Sequence, residues 1–420
     1  MNLKISNNIL MTLSGMFIFQ STSFLVALFL SRTGRFDVFG QYQFFISTCS
    51  FFILIAKSGL DEKISFSYTE KQNWNTIDPK QNKIISNLNI AFFASLLGSV
   101  FTVLFYLFYS IFSEVKIDFF TSLYAFLYIP PFILVIMISS FFRAQNDIFN
   151  RTISTYYIPS LLFISFLCFI HLFVELNIYL FLIARVLTYI LAAIFCFSII
   201  HKKFKVRNFV QVFNYKNLNI NYLKKELLNW FVFPLICFLF ETGTYFIWIL
   251  RSLQSDEFIG KFTVVFKLAS LVLILPLAIS IVIAPYAVKK FKEKNTLSFE
   301  KYVIIIVTLT SSILLLTIYY FYGSELMIFL NPILTGFKYE LLFLSSSLTL
   351  IAITSPLQSL MLAEGKIQDV FKINLLAIIV ATIPLCWFSS SDSFTYCLSL
   401  ISISIFIFGF IRLSYIFKVQ

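Results

Sequence analysis

Three side chains could do chemistry, because each puts charge where the surrounding sequence is built for hydrocarbon. Arg185 sits in "LFLIARVLTYIL" (180 to 191), Lys267 in "FTVVFKLASLVL" (262 to 273) and Glu241 in "CFLFETGTYFIW" (237 to 248). A cation in the middle of a span costs about 2.5 to 3.5 kcal/mol on insertion scales and is tolerated where it faces a partner or a wet cavity. Arg185 lies about 12 Å into its helix, too deep for its side chain to reach back fully to the headgroups. A guanidinium's planar fork suits phosphate oxygens, so one reading makes Arg185 an anion-binding cation; the other ties it to a helix carbonyl or to Glu241. Lys267 lies about seven residues in, and snorkelling could carry its ammonium most of the way to the surface. Glu241 could exchange a proton, a sodium ion and a salt-bridge partner between two states, or hold a fixed ion pair between two lobes.

The elements that position these charges are membrane helices. Of 420 residues 59% are hydrophobic and only 12% charged, against about 25% charged in an ordinary soluble domain. Apolar windows of about 20 residues, each able to cross a core of about 30 Å, recur throughout. They place twelve spans near 9–30, 39–56, 87–112, 118–142, 152–174, 177–200, 229–250, 260–288, 302–322, 340–363, 370–390 and 394–417. The first is longer than a signal-peptide core and lacks a small-residue cleavage site after it, so it reads as helix one. With both termini cytoplasmic, 24 of the 32 Lys and Arg, counting Arg412 and Lys418 at the end, fall in inner segments and 6 in outer ones. That asymmetry fixes the orientation of a multi-pass protein. It also accounts for the net charge of +12 without nucleic acid. The six cysteines are scattered, with no CxxC, and His171 and His201 are the only histidines. A metal site, cofactor or His-based catalytic group has almost no material.

The two halves repeat. "SRTGRFDVFGQY" (31 to 42) matches "LRSLQSDEFIGKF" (250 to 262), pairing Arg32 with Arg251 and Gly40 with Gly260 at an offset of 219 to 220. "RAQNDIFN" (143 to 150) matches "LAEGKIQDVF" (362 to 371) at 219, although the repeat is faint in the third and fourth helices. Six spans separate the copies, so they share one orientation and should be related by an axis along the membrane normal. This predicts an N-terminal six-helix lobe over 1–208, a cytoplasmic linker over 209–228 and a C-terminal six-helix lobe over 229–420. Leu223, Leu227 and Trp230 share a face at helical spacing, which fits either a helix lying on the membrane surface or a solvated linker.

"FGQYQF", opening helix two, "AKSGLDEKISF" (56 to 66), leaving it, and the stretch 253 to 291 with Gly260, Pro276 and Pro285 resemble polysaccharide-biosynthesis flippases. These are members of the multidrug/oligosaccharidyl-lipid/polysaccharide (MOP) exporter superfamily. The resemblance implies an all-α, V-shaped membrane protein of two pseudo-symmetric six-helix lobes with alternating access. It further implies a substrate, an undecaprenyl-pyrophosphate-linked oligosaccharide of O-antigen or capsule, moved across a bacterial inner membrane by a Wzx-type flippase. Arg185 and Lys267 would line its cavity, and Glu241 would couple transport to H+, Na+ or the membrane potential. Membrane lipids, and a polymerase and glycosyltransferases of the same pathway, would be the partners.

Two other readings stay open. A polytopic polymerase or ligase would be expected to carry a long outer loop with catalytic residues, and the outer loops here are short. A drug or cation antiporter of the same superfamily would want acidic residues within N-terminal spans, where only loop acids are found.

Overall fold

A computed structural model of the chain describes residues 3–57, 60–61, 64, 78–112, 118–145, 147–171, 177–204, 243–292, 298–364, 366–389 and 393–419. Among them there are helices and no strands. We number the helices α1 (Leu3–Arg32), α2 (Phe36–Lys57), α3 (Asp78–Phe112), α4 (Phe119–Ala144), α5 (Ile148–His171), α6 (Ile178–Phe204) and α7 (Thr244–Leu253). The remainder are α8 (Asp256–Lys292), α9 (Ser298–Leu330), α10 (Lys338–Ala363), α11 (Ile367–Ala381) and α12 (Phe394–Val419). Among the described residues eleven helices are long and apolar enough to span a membrane, and they correspond to the expected spans in order. Of the expected seventh span only the stretch from Gly243 onward is described; the linker 209–228 lies outside the described residues.

Prolines set the internal breaks. Pro159 cannot donate to Thr155 and crowds its carbonyl, and residues Ile153–Tyr157 of α5 form a π turn. Pro276 stands in the same relation to Val272, and Ser270–Leu273 of α8 form a 3-10 turn. The disturbed ladder of α8 is repaired from outside: the buried Tyr319 hydroxyl of α9 donates to the Leu268 carbonyl at 2.5 Å. A mid-helix 3-10 segment of this kind often marks a hinge.

The duplication is closer in the folded chain than in the letters. α4 and α10 are each 26 residues long and begin 219 residues apart, while α3 and α9 begin 220 apart, as do α2 and α8. The faint repeat in the third and fourth helices is therefore a loss of sequence likeness over retained helix boundaries. Apolar side chains facing lipid can be exchanged freely among Phe, Leu and Ile, and nothing preserves their identity. Between the fourth and sixth helix of each copy the offset falls to 216, so the first copy carries three more residues there.

By packing, the chain forms two compact units, Met1–Phe44 with Ile236–Gln420, and Phe45–Leu235. In the second, α4 is central, flanked by α3 and α6, with α5 against α6. In the first, α10 is central against α12, α8 and α9, while α11 packs on α12 and α1 runs along α8. Its apolar core includes Ile279, Ile283, Ala287, Ile304 and Leu360. The packing boundary near residue 44 differs from the boundary of duplication, because α1 and the start of α2, first-copy elements, are built into the second copy's unit.

Candidate functional site

Arg185, on α6, is 8% exposed. Its guanidinium carbon lies 4.5 Å from the centre of the Phe163 ring and 5.6 Å from that of Tyr189. Tyr189 follows Arg185 by one helical turn, so the same face presents both; Phe163 arrives from α5, just beyond the π turn and Pro159. The Tyr189 ring meets Phe132 at 4.6 Å and Tyr128 at 5.3 Å, both on α4. The cation therefore belongs to an aromatic cluster, whose ring faces stabilise it by about 0.5 to 2 kcal/mol. The neighbours visible in sequence play smaller parts. Ala184 and Ala192 are fully buried, and the Thr188 hydroxyl donates to its own helix at the Ala184 carbonyl, 2.7 Å away.

Lys267, on the last α-helical turn before the 3-10 break in α8, turns to α1 instead of lying along its own helix. Its ammonium donates to the Ser23 hydroxyl at 2.7 Å. Lys267 thus bonds a second helix. Lys267 and Arg185 belong to different units, and each is described only within its own. Glu241 lies outside the described residues, as does Cys237.

The repeated motifs themselves meet. A Cβ built on Gly40 of α2 would stand 2.8 Å from the carbonyl carbon of Asp256 on α8, and one built on Gly260 2.8 Å from that of Phe36 on α2; both would be closer still to the carbonyl oxygens. Only glycine permits this approach. Because residues 36 and 40 correspond to 256 and 260, the contact is reciprocal, as an interface across a two-fold axis must be. Polar groups ring the crossing. Arg251 pairs with Asp256, and Gln41 donates to Asp256 at 3.1 Å. Lys261 bonds Glu257 at 2.6 Å and lies 5.8 Å from the Phe36 ring centre. Nearby, the end of α1 is fastened to the end of α9. Ser31 donates to the Leu330 carbonyl at 3.1 Å, Arg32 Nε to the Phe329 carbonyl at 2.9 Å, and Asn331 to the Ser31 carbonyl at 2.5 Å.

Three buried cations escaped the reading of the sequence, Arg143, Arg151 and, deepest in a span, Arg412. Arg412, counted above among the inner-segment cations, is fully buried within α12. It donates to the Gln358 side chain of α10, which in turn donates to Asn374 of α11 at 2.8 Å. Its guanidinium also lies 4.9 Å from the Phe408 ring centre. Seven residues from the helix end, it looks in sequence like a residue reaching for water, and only the packing of α10 and α11 encloses it. Among the described spans, the charges far from helix ends are thus Arg185, Lys267 and Arg412; Asp37, Asp256, Glu257 and Asp369 stand at span starts, and Glu325 and Glu340 near the turn joining α9 to α10. Among the described residues there is no cluster of side chains able to hold a metal ion.

The fold is that of known transporters. A multidrug resistance MATE family transporter of the MOP superfamily, in its inward-facing conformation, aligns with a TM-score of 0.68 over 98% of each chain at 12% identity. A MOP superfamily transporter from Pyrococcus furiosus, described by the reverse polarity of its binding pocket, aligns at 0.68 over 99% of this chain and 96% of its own, with 11% identity. The MATE multidrug transporter DinF-BH, in complex with a bound compound, aligns at 0.66, 14% identical, over 100% of this chain and 97% of its own. Neither a protein-family model nor a curated protein sequence matches the chain.

Proposed function

We propose that this chain is a flippase that carries a polyprenyl-pyrophosphate-linked oligosaccharide, of the O-antigen or capsule kind, across the bacterial inner membrane. It does so by alternating access and breaks no covalent bond. The observation that carries this reading is the sign of the deep charges, which among the described spans are basic. Moving a pyrophosphate through hydrocarbon is prohibitive without compensating charge. Arg185 and Lys267 supply it, while the polyprenyl tail stays in lipid. Ring faces are among the partners of Arg185 and a serine hydroxyl is among those of Lys267, and phosphate oxygens bind either cation more strongly than these do. Glu241 is the coupling carboxylate, for a proton or sodium ion.

With both termini cytoplasmic, the glycine crossing lies at the outer end of the bundle. In an alternating cycle it acts as the outer latch, which must part for the glycan to leave, while the 3-10 turn of α8 absorbs the bend. A polymerase and glycosyltransferases of the same pathway supply and consume the substrate.

The MATE folds above suit a drug antiporter as well, and one of them is a multidrug transporter with a compound bound. A cationic cargo would want deep carboxylates, and the pocket of the Pyrococcus furiosus MOP transporter is described as of reverse polarity, suggesting a different function for that protein. The test is reconstitution in proteoliposomes with an undecaprenyl-pyrophosphate-linked glycan. Arg185→Ala should lower the translocation rate by about tenfold or more, the equivalent of one charge-assisted hydrogen bond. Unchanged translocation by Arg185→Ala at equal protein content, or export of a cationic dye with no movement of the glycan, overturns the reading.

A further inference from the structure

Between α9 and α10 runs an open groove of about 700 Å3. One wall is Ile313, Leu316 and Tyr320, at helical spacing on α9, and the other Tyr339, Leu342 and Ser346 on α10. From Ile313 to Tyr320 it covers about 11 Å of helix axis, most of one leaflet of a core of about 30 Å. Its serine and threonine hydroxyls are turned to their own helices, and the two phenols, Tyr320 and Tyr339, are exposed. Ser346 donates to the Phe343 carbonyl at 2.7 Å, and Thr317 to the Ile313 carbonyl at 2.8 Å. What remains is an apolar slot opening on the lipid-facing side, where Ile313, Tyr320 and Phe343 are exposed.

At one end of the slot stands Lys338. A Cβ on Gly323 would come within 3.2 Å of the Lys338 side chain, so the lysine stem lies across α9 where that helix has no side chain. This brings its ammonium to 5.5 Å from the centre of the Tyr320 ring, on the groove wall. The other described cations that the positive-inside count places outside are all engaged by oxygen. Arg35 pairs with Asp37, Arg251 with Asp256 and Lys261 with Glu257, and Arg32 bonds a carbonyl. Lys338 has no carboxylate within salt-bridge distance among the described residues, although Glu325 and Glu340 are near it in the chain. An ammonium poised at the membrane boundary above a hydrocarbon slot complements an anionic lipid: charge at the top, chain below.

We propose that the α9–α10 groove binds one acyl chain of an anionic glycerophospholipid whose phosphate is held by Lys338. The lipid completes the packing of α9, whose span is the least buried of the eleven.

The test is the thermal midpoint of the purified full chain in detergent, with added phosphatidylglycerol or phosphatidylcholine. Phosphatidylglycerol should raise the midpoint by about 3 °C more than phosphatidylcholine. Lys338→Gln should bring the two lipids level, and Ser346→Trp, which fills the slot, should remove the response to both. Each variant is first checked without lipid; if Ser346→Trp melts early, Leu316→Trp fills the same space from the other helix. Arg185→Ala should keep the full response, separating this site from the transport cations. Equal shifts by both lipids in the unmodified chain, or an undiminished preference for phosphatidylglycerol in Lys338→Gln, overturn the proposal.

Discussion

One buried guanidinium stands in the sixth helix of each copy; both lie against rings, and Arg412 is also bonded to an amide. Arg412 on α12 is fixed by a chain of amides, Gln358 and then Asn374, that ties three helices together. Arg185 on α6 lies against the faces of Phe163 and Tyr189. Amides reach one geometry and define it. Ring faces attract from a broad cone of directions. Duplication provided two equivalent helices, and each has since acquired an arginine at its own position, Arg412 tied by amides to two other helices and Arg185 set among rings.

This contrast can be broken most forcefully at Arg412. Arg412→Ala leaves Gln358 without its donor and opens a void, so we expect a loss of about 3 kcal/mol or more, seen as a large fall in thermal midpoint. Combining Arg412→Met with Gln358→Leu should recover only part of it, because the two partners leave together while Asn374 loses the Gln358 donor. Next in size are Gly40→Ala and Gly260→Ala, each costing about 1 to 3 kcal/mol by overpacking. The two should match each other, and a clear inequality in midpoint would show that the reciprocal crossing is not equally shared. Phe163→Leu should cost about 1 kcal/mol in stability while changing glycan translocation more than Arg412→Lys does, which separates the π-held cation from the clamp. The smallest effect belongs to Ser23→Ala, about 1 kcal/mol or less, read as a slight drop in midpoint.

Much of the scaffold was legible because hydrocarbon length is a strict ruler. Among the described residues eleven spans come out in order, the fifth and sixth as separate helices. The paired motifs at 31–42 and 250–262 were also readable, since glycine and arginine stand out among Phe and Leu. That these motifs touch each other was not, because a reciprocal contact depends on where an axis passes. Depth along a helix indicated that Arg185 and Lys267 needed partners without naming them: Phe163 and Ser23 lie on other helices, and no local spacing points to either. Arg412 was misjudged for the converse reason, since closeness to a chain end suggests water only until other helices close over it.

The π turn at Ile153–Tyr157 bears on how the copies diverged. A π turn stores one surplus residue without twisting the helix beyond it, and the first copy is three residues longer across this region, of which the turn can hold one. An insertion absorbed there keeps Phe163 in front of Arg185. The same codon gained elsewhere in α5 would swing that ring about 100° around the helix. Natural variants of this gene should therefore tolerate single-residue length changes at the turn and purge them on either side.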